Sequence, residues 1–283
     1  MSILAATDFS TRSNRALRQA GLLAKATGAQ LDIVHVVDDD VPNQLLEMEK
    51  REAGRILAEQ VQTMPELVNV QCRTVVVTGD PFDGILRTAT RMKPRLIVMG
   101  QHRRMLLRDI LVGTTIERVV RARSFPVLMV NNDAQRRYER VLVAVDMSDA
   151  CAQAISTASK MGLFEVPPTL MHAFDAPARR KMMLGDARQI AIEEYVAAER
   201  KRARKEVISF LESHGQYNAD WPLHLIEGSA SEVISRTVGE MRPDLLVMGT
   251  RGRSKLLTTL LGSVAEECLR SLDVDVLAAP PLR

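Results

Sequence analysis

The stretch Val247-Met248-Gly249-Thr250-Arg251-Gly252, followed ten residues later by Gly262-Ser263, decides how this chain folds. A continuous apolar run that stops at a glycine is typical of a strand buried on both faces. The glycines after it allow a tight loop, and Gly262-Ser263 has the residue types that begin helices. The spacing Gly-x2-Gly-x9-Gly-Ser therefore predicts a buried strand, a glycine-hinged loop and a helix start.

An earlier part of the chain repeats this stretch with one change. Val98-Met99-Gly100 and Gly113-Thr114 match it, but Arg103 stands where the second glycine is expected. The beginning of the chain is repeated too, since Ile3-Leu4-Ala5-Ala6-Thr7-Asp8 matches Val141-Leu142-Val143-Ala144-Val145-Asp146. Self-similarity of this kind indicates a chain built from repeated domains.

The two copies differ in length. The aspartates that end their first strands are 138 positions apart, whereas Gly100 and Gly249 are 149 apart, so the second copy has about eleven extra residues in its middle. The polar segment 131–140 lacks apolar periodicity, as expected of a linker. We predict two homologous domains, domain 1 over residues 1–132 and domain 2 over residues 139–283.

Short apolar runs alternate with longer amphipathic segments in both copies. The predicted strands cover residues 3–6, 31–37, 70–77, 96–99 and 127–130 in domain 1, and 141–145, 169–173, 223–226, 245–248 and 274–278 in domain 2. Most are unbroken apolar runs, which indicates strands covered on both faces, as in a parallel sheet. The order βαβαβαβαβ predicts an open, doubly wound α/β fold for each domain.

The helices are marked by apolar periodicity and by capping residues. Gly28 ends the first helix, and Asp80-Pro81 begins the third with a cap and a proline at the first helical position. The extra residues of domain 2 lengthen its second helix, over roughly residues 187–213. On that helix the run Arg200-Lys201-Arg202-Ala203-Arg204-Lys205 is either a solvated face or a docking surface for an acidic partner.

The composition is that of an ordinary globular protein, with 46% hydrophobic and 26% charged residues among 283. A net charge of +3 is too balanced to indicate nucleic acid or a membrane, and 4% aromatic residues argue against base-stacking surfaces. Cys72, Cys151 and Cys268 form no Cys-x-x-Cys pair, which favours small thiols in a reducing compartment. No apolar run reaches a membrane span, and the N-terminus is a strand and not a signal peptide, so we expect a cytoplasmic protein.

Candidate binding residues follow the strand ends. Ligands of open α/β sheets bind beyond the carboxyl ends of the strands, where the strand order reverses. Asp146 and the glycine loop of domain 2 both follow such ends, as do Asp8 and Gly100 in domain 1. If the first and fourth strands are neighbours, the aspartate and the loop of each domain face the same crevice.

The loop of domain 2 has the features of an anion site. A helix that begins at Gly262-Ser263 offers free N–H groups and the positive end of its dipole, and the serine adds a hydroxyl. Arg251, Arg253 and Lys255 add positive charge. A polyphosphate suits such a site, with Asp146 holding a ribose hydroxyl or a magnesium ion.

The same residues have a purely structural interpretation. The stretches 263–266, 114–117 and 229–232 each have the pattern of a helix capping box, in which a Ser or Thr is followed three residues later by Glu. Capping alone explains these residue types, and the loop lacks the Gly-Lys-Ser/Thr of a P-loop. On spacing alone, phosphate binding and helix capping stand as equal alternatives.

The pattern Gly249-x2-Gly252-x9-Gly262-Ser263, with Asp146 ending the first strand, resembles the nucleotide-binding signature of the universal stress protein family. The resemblance covers nearly the whole chain twice, as in tandem members of that family. It implies two five-stranded parallel-sheet domains of the adenine-nucleotide-binding, flavodoxin or Rossmann-like type. It also implies an intrachain pseudo-dimer through the last strands of the two domains, and ATP as ligand, with or without Mg2+.

By this resemblance, ATP lies in the crevice of domain 2. The glycines, Ser263 and Val264 surround the phosphates and ribose, Asp146 lies near the adenine or ribose, and Ala173 presents its backbone to the adenine edge. The residues expected around the nucleotide are Asp146, Ala173, Met248, Gly249, Arg251, Gly252, Arg253, Gly262, Ser263 and Val264.

Domain 1 departs from this pattern. The corresponding residues are Asp8, Val36, Gly100, Arg103, Gly113 and Thr114. An arginine does not readily adopt a backbone conformation that requires glycine, and the side chain of Arg103 could fill the triphosphate site. We expect a degenerate site in domain 1. The alternative is that Arg103 and Arg104 hold a different anion.

The function expected from these features is ATP binding in a stress-response protein, with the nucleotide as a regulatory ligand that a protein partner senses. A slow ATPase is one alternative, although no carboxylate, Gln or His stands out as a water-orienting group. A scaffold, or a binder of another small anion, is the other. His35 and His172 occupy corresponding positions and are expected to be structural. The sequence leaves open whether two chains form a homodimer.

Overall fold

The parallel strands predicted from the sequence assemble into a ten-stranded sheet. The structure is a computed structural model that describes residues 1–101, 114–133, 137–185, 187–252 and 261–281. The strands are β1 Ser2–Ala6, β2 Gln30–Val37, β3 Cys72–Thr78, β4 Leu96–Gly100, β5 Val127–Val130, β6 Val141–Ala144, β7 Thr169–Phe174, β8 Leu223–Glu227, β9 Leu245–Gly249 and β10 Asp275–Ala279. Their ends differ from the sequence prediction by at most two residues.

Helices cover both faces of this sheet. Within the described residues they are α1 Thr11–Thr27, α2 Asn43–Thr63, α3 Pro81–Met92, α4 Thr115–Ala122, α5 Asp149–Lys160, α6 Arg179–Leu184, α7 Gln189–Ser213, α8 Ala230–Met241 and α9 Ser263–Ser271. The prediction for the extra residues of domain 2 was incomplete, because the short helix α6 precedes the long helix α7. The predicted caps are confirmed: Gly28 is left-handed at the end of α1, and the Asp80 side chain accepts from Phe82 N and Asp83 N.

The strand order is β3-β2-β1-β4-β5-β10-β9-β6-β7-β8. Strands pair in parallel within each half, and β1 lies beside β4 as β6 lies beside β9. The first and fourth strands of each domain are therefore neighbours, as required for the aspartate and the glycine loop to share a crevice. The carboxyl ends of β6 and β9 form the topological switch point of domain 2.

The two domains meet through one antiparallel strand pair. Strand β5 pairs with β10, with Met129 opposite Val276 and Leu128 opposite Leu277. This joins two five-stranded parallel sheets into one and confirms the predicted intrachain pseudo-dimer. The last strand of each domain is covered by the other, so neither is left as an edge at this junction.

Apolar clusters lie on both faces of the sheet. One packs α1 and α5 of the two domains against the strands, through residues such as Leu17 and Ile155. The other packs α3, α4, α8 and α9, with Val119 and Leu269 among its members. Each cluster contains residues of both domains, so the core passes through the junction without interruption.

Candidate functional site

A cavity of about 880 Å³ lies at the switch point of domain 2. The ends of β6, β7 and β9 form its floor, and α7, α8 and the beginning of α9 form its walls. Its lining comprises Ala144, Val145, Asp146, Met147, Met171, His172, Ala173, Phe174, Asp175, Glu199, Arg202, Ala203, Glu206, Ala230, Ile234, Met248, Gly249, Thr250, Arg251, Gly252, Leu261, Gly262, Ser263, Val264, Ala265 and Glu266. The volume is in the range of small-molecule and cofactor sites.

The structure brings together nine of the ten residues that the sequence singled out in domain 2. They are Asp146, Ala173, Met248, Gly249, Arg251, Gly252, Gly262, Ser263 and Val264, and all line this cavity. Arg253, the tenth, and Lys255 lie outside the described residues. Residues from three separate parts of the chain thus converge on one concave surface.

Asp146 is held by the residue two positions later. Its Oδ1 accepts from Ser148 N at 3.0 Å and from Ser148 Oγ at 2.6 Å. The same hydroxyl lies 2.8 Å from the carbonyl oxygen of Arg251, so it can donate either to the aspartate or to the loop. Burial raises the pKa of Asp146, although the Ser148 bonds and nearby His172 act in the opposite direction.

Gly249 and, less strictly, Gly262 are needed for space, and no glycine of the loop has left-handed backbone. None of Gly249, Gly252 and Gly262 has a positive φ, which corrects the expectation that the loop requires such conformations. A Cβ on Gly249 would lie 2.7 Å from the backbone N of Cys151, so this glycine lets β9 approach α5. A Cβ on Gly252 would lie 3.7 Å from Asp146 Oδ2 and would point a side chain at that carboxylate.

Helix α9 begins one residue earlier than a capping box would require. Its N-cap is Gly262 and Ser263 is the first helical residue, so the predicted capping box at 263–266 is wrong. Because glycine brings no side-chain acceptor, the first N–H groups of α9 are not capped by a side chain. By contrast, the Thr114 hydroxyl accepts from Glu117 N at 3.3 Å at the corresponding helix of domain 1.

The third predicted capping box, at 229–232, is only half formed. Ser229 is the N-cap of α8 but its side chain caps no N–H group. Its hydroxyl instead donates to Glu232 Oε2 at 2.8 Å. The Ser/Thr-x-x-Glu pattern therefore gives a different result at each of the three predicted capping boxes.

Thr250 is a site residue that sequence reasoning missed. It is 1% exposed, lines the cavity, and its Oγ1 has no hydrogen-bond partner among the residues that the structure describes. A buried hydroxyl without a partner is rare and costs free energy unless a ligand or water satisfies it. Its place between Gly249 and Arg251, inside the stretch that decides the fold, was the available signal.

Helix α7 contributes a charged wall that the sequence did not reveal. Glu199, Arg202, Ala203 and Glu206 lie one helical turn apart and face the cavity. Arg202 Nε donates to Glu206 Oε1 at 3.1 Å. The basic run of this helix was expected to be either a solvated face or a docking surface. Its cations, Arg202 among them, are exposed, and Arg202 and Ala203 also border the cavity.

In domain 1 the corresponding space is occupied differently. Val36 stands where domain 2 has Ala173, and its methyl groups lie within 2.8–2.9 Å of a Cβ built on Gly84. The counterpart of Gly84 in domain 2 is Val233. Helix α3 thus packs closely onto β2 through a valine–glycine contact, where domain 2 has a small residue on the strand beside its cavity.

Asp8 and Asp146 occupy matching positions in the two domains, but their pKa values are shifted in opposite directions. Burial acts to raise the pKa of Asp8, but hydrogen bonds from Ser10 and Ser13 outweigh it and lower the pKa. Phe9 stacks on His35 beside it, with ring centroids 4.1 Å apart.

Gly100 of domain 1 lies close to the beginning of a helix, as Gly249 does in domain 2. A Cβ on Gly100 would lie 2.5 Å from the Arg12 carbonyl oxygen at the start of α1. Arg103, Arg104 and Gly113 lie outside the described residues.

The paired histidines have the same backbone contact in both domains. His35 Nδ1 lies 2.9 Å from the carbonyl oxygen of Thr7, and His172 Nδ1 lies 2.6 Å from that of Val145. Each ring nitrogen can donate to its carbonyl, which ties β2 to β1 and β7 to β6. His172 also lines the cavity of domain 2.

Two other expectations concern metals and membranes. Among the residues described, no three His, Cys, Asp or Glu side chains are grouped as metal ligands. The described helices include none long and apolar enough to cross a membrane. The free cysteines Cys151 and Cys268 are buried, and burial raises the pKa of each to about 12.

The fold has two doubly wound α/β domains, with a cavity at the switch point of domain 2. These features indicate the class of protein to which the chain belongs. The universal stress protein family matches residues 1–131 and 137–280, so the chain belongs to that family and carries two of its domains. It is 32% identical over 136 residues to a universal stress protein of Methanocaldococcus jannaschii, covering 45% of this chain and 80% of that protein. It is 23% identical over 309 aligned positions to a universal stress protein of Mycolicibacterium smegmatis, covering 99% and 97%.

A solved structure has the same fold over almost the full length. It is that of a functionally unknown protein of Pseudomonas aeruginosa PAO1, with a TM-score of 0.71 and 23% identity. The alignment covers 99% of this chain and 92% of that one. The tandem arrangement of two such domains is therefore shared with a known structure.

Proposed function

We propose that domain 2 binds ATP in its cavity and that the nucleotide acts as a regulatory ligand. The observation that carries this proposal is the convergence of Asp146, the loop from Gly249 to Gly252 and the beginning of α9 on one cavity at the switch point. Each feature alone has a structural explanation, but a strand-end carboxylate and an uncapped helix start facing the same space suit the two ends of a nucleotide.

The phosphates belong at the beginning of α9. The N–H groups of Ser263 and Val264 lie at the positive end of the helix, and Gly262 leaves them without a side-chain cap. Arg251 borders the same end of the cavity. The buried hydroxyl of Thr250 bonds to none of the described residues, so it can serve a ligand there.

The nucleoside belongs against β6 and β7. Asp146 has its Oδ1 occupied by Ser148, and Oδ2 faces Gly252, where a ribose hydroxyl or a cation carried with the phosphates suits it. The base fits beside Ala173, with Met171, Ile234 and Met248 as apolar neighbours. Domain 1 has Val36 and a packed α3 at this place, which supports a single nucleotide site per chain.

Calorimetry on the full chain tests the proposal. We expect wild type to bind ATP, and Gly252→Arg to lose binding because the new side chain points at Asp146 and fills the phosphate end. Gly239→Ala, in open space on α8, is the matched control and should bind as wild type does. Binding that Gly252→Arg leaves unchanged would place the nucleotide elsewhere and overturn the proposal.

Two further ligands separate the alternatives. Cyclic AMP lacks the extended phosphate chain, so it should bind more weakly than ATP if the beginning of α9 holds polyphosphate.

Measuring phosphate release from ATP distinguishes a nucleotide-binding protein from an ATPase. Turnover at about 1 s⁻¹ or faster, as in ordinary enzymes, would contradict a purely regulatory role. Binding of phosphate alone, as tight as ATP, would favour a general anion site.

A further inference from the structure

A second cavity, of about 620 Å³, lies where the two domains and their linker meet. Helix α1 of domain 1 contributes Gln19, and the linker contributes residues 132, 133, 137, 138 and 140. Domain 2 supplies the rest from the end of α8, the turn before β9, the end of α9 and the beginning of β10. It is separate from the nucleotide cavity, since the two share no lining residue. We propose that it binds a small zwitterion of the α-amino acid class.

Gln19 is the residue that points to a ligand. Gln19 is 2% exposed and lines the cavity, and its Nε2 has no hydrogen-bond partner within the described parts of the chain. A buried amide N–H donor without an acceptor is costly, so a ligand oxygen or an ordered water is needed to satisfy it. A carboxylate oxygen is the strongest acceptor that a small metabolite can bring to this donor.

Most charged groups around the cavity are already neutralised. Asp244 pairs with Arg140 at 2.8 Å, Asp133 pairs with Arg15 at 2.7 Å, and Arg137 pairs with Glu165. These pairs leave little net charge for a ligand to meet. They do fix the walls, because each joins two different parts of the chain.

Asp275 is buried and its oxygens are occupied. Oδ1 accepts from the backbone N–H groups of Asn131 and Asn132, and Oδ2 accepts from the Tyr138 hydroxyl at 2.6 Å. Burial raises the pKa of Asp275 despite these bonds. Its hydrogen-bonding capacity is therefore largely used within the chain, and it offers a ligand no free acceptor.

Two lining groups form no ion pair among the residues that the structure describes. They are the guanidinium of Arg242, at the end of α8, and the carboxylate of Asp273, before β10. A carboxylate on the ligand would satisfy Arg242 and Gln19, and an ammonium group would pair with Asp273. A simple anion would meet the carboxylate of Asp273, and a simple cation would leave Gln19 without its acceptor. The zwitterion is the class that suits both ends.

The ligand would contact both domains at once. Gln19 belongs to domain 1, whereas Arg242 and Asp273 belong to domain 2. Binding should therefore stabilise the junction and raise the temperature at which the whole chain unfolds. This site does not depend on nucleotide binding, so the two proposals fail separately.

The test is a thermal-shift screen of the full chain with the protein L-α-amino acids, followed by calorimetry on those that raise Tm. For each amino acid found, the matched α-hydroxy acid lacks the ammonium group and the matched amine lacks the carboxylate. We expect each to bind about tenfold more weakly or worse, because a charged hydrogen-bond partner is lost. Equal binding of the hydroxy acid would overturn the zwitterion assignment.

Variants locate the binding. Gln19→Leu and Arg242→Gln should each weaken it by about tenfold or more, whereas Gly252→Arg should leave it unchanged. Because Arg242 is exposed, its variant tests the site even if Gln19→Leu fails to fold. If no amino acid binds wild type, or if binding resists both variants, the proposal is wrong. If no amino acid binds wild type, Gln19→Leu should raise the free energy of unfolding, as expected when only a water satisfies the Gln19 amide.

Discussion

Glu117 of domain 1 and Arg270 of domain 2 form a two-point ion pair across the junction. Arg270 Nε lies 3.1 Å from Oε1 of Glu117, and Nη2 lies 3.3 Å from Oε2. The pseudo-symmetric counterpart joins Arg121 to Glu266 at 3.6 Å. The first pair buries its carboxylate almost completely, at 4% exposure, whereas both members of the second are about one-third exposed. Two pairs of the same residue types thus lie in different environments.

We expect Glu117→Gln to lower the free energy of unfolding by about 2 kcal/mol, because Arg270 loses its buried partner. The matched change Glu266→Gln removes the pair with Arg121 and a second pair with Arg270, at 3.3 Å on the same helix. It should still cost no more than about 1 kcal/mol, since exposed pairs contribute little. Urea denaturation measures both. Equal costs would show that burial does not distinguish the two pairs.

The pH dependence of stability should have opposite signs at the two strand-end aspartates. The pKa of Asp8 is lowered in the folded chain, so its ionised form stabilises the fold above the unfolded pKa, and that contribution is lost as pH falls through the folded pKa. The pKa of Asp146 is raised, so its contribution is present below the unfolded pKa and lost as pH rises through the folded pKa.

Asp8→Asn should therefore cost more stability at pH 7 than at about pH 4, where an ordinary aspartate titrates. The stability of Asp146→Asn relative to wild type should increase as the pH rises from about 4 to about 7. Denaturation of both variants and of wild type at several pH values checks this. Curves with the same sign of slope would show that the two environments are alike.

Ala173→Val places in domain 2 the residue that domain 1 has at this position. The two added methyl groups narrow the cavity beside Val233, so ATP affinity should fall by about 10- to 100-fold, as for a misfit of one or two carbons in a pocket. Calorimetry gives the change. The double variant Ala173→Val with Val233→Gly, which copies the Val36–Gly84 contact, separates packing strain from loss of space. Unchanged affinity in the single variant would mean that the base does not lie at Ala173.

Gly249→Ala should destabilise the chain by about 1–3 kcal/mol even without ligand, because its Cβ would lie 2.7 Å from the backbone of α5. Gly54→Ala is the matched control, since Gly54 lies within α2 with open space around its Cβ. It should stabilise by about 0.5–1 kcal/mol through helix propensity. Thermal denaturation measures both, and a harmless Gly249→Ala would refute the packing explanation of this glycine.

Much of the fold could be predicted because its determinants are local. Unbroken apolar runs marked the strands, and Gly28 and Asp80 marked helix ends, since capping depends on neighbouring residues. The position of Asp146 beside the glycine loop followed from the switch-point rule of parallel sheets. These features need only the chain order and the periodicity of side chains.

The rest of the site depends on distances that no local pattern contains. Ser263 and Glu266 have capping-box spacing, yet the helix begins at Ser263 because Gly262 takes the cap position. Gly252 was read as a backbone requirement, but it matters because its Cβ would face Asp146. The wall from α7 could not be found, since periodicity shows that Glu199 and Arg202 share a face but not what that face meets.

The antiparallel pairing of β5 with β10 has a consequence for how the two halves can diverge. When identical subunits associate through this edge, every substitution appears on both sides of the axis and both crevices change together. Covalent fusion removes that constraint. One crevice can have Val36 and Arg103 while the other has Ala173 and Gly252, so a symmetric framework can carry two crevices of different shape and charge.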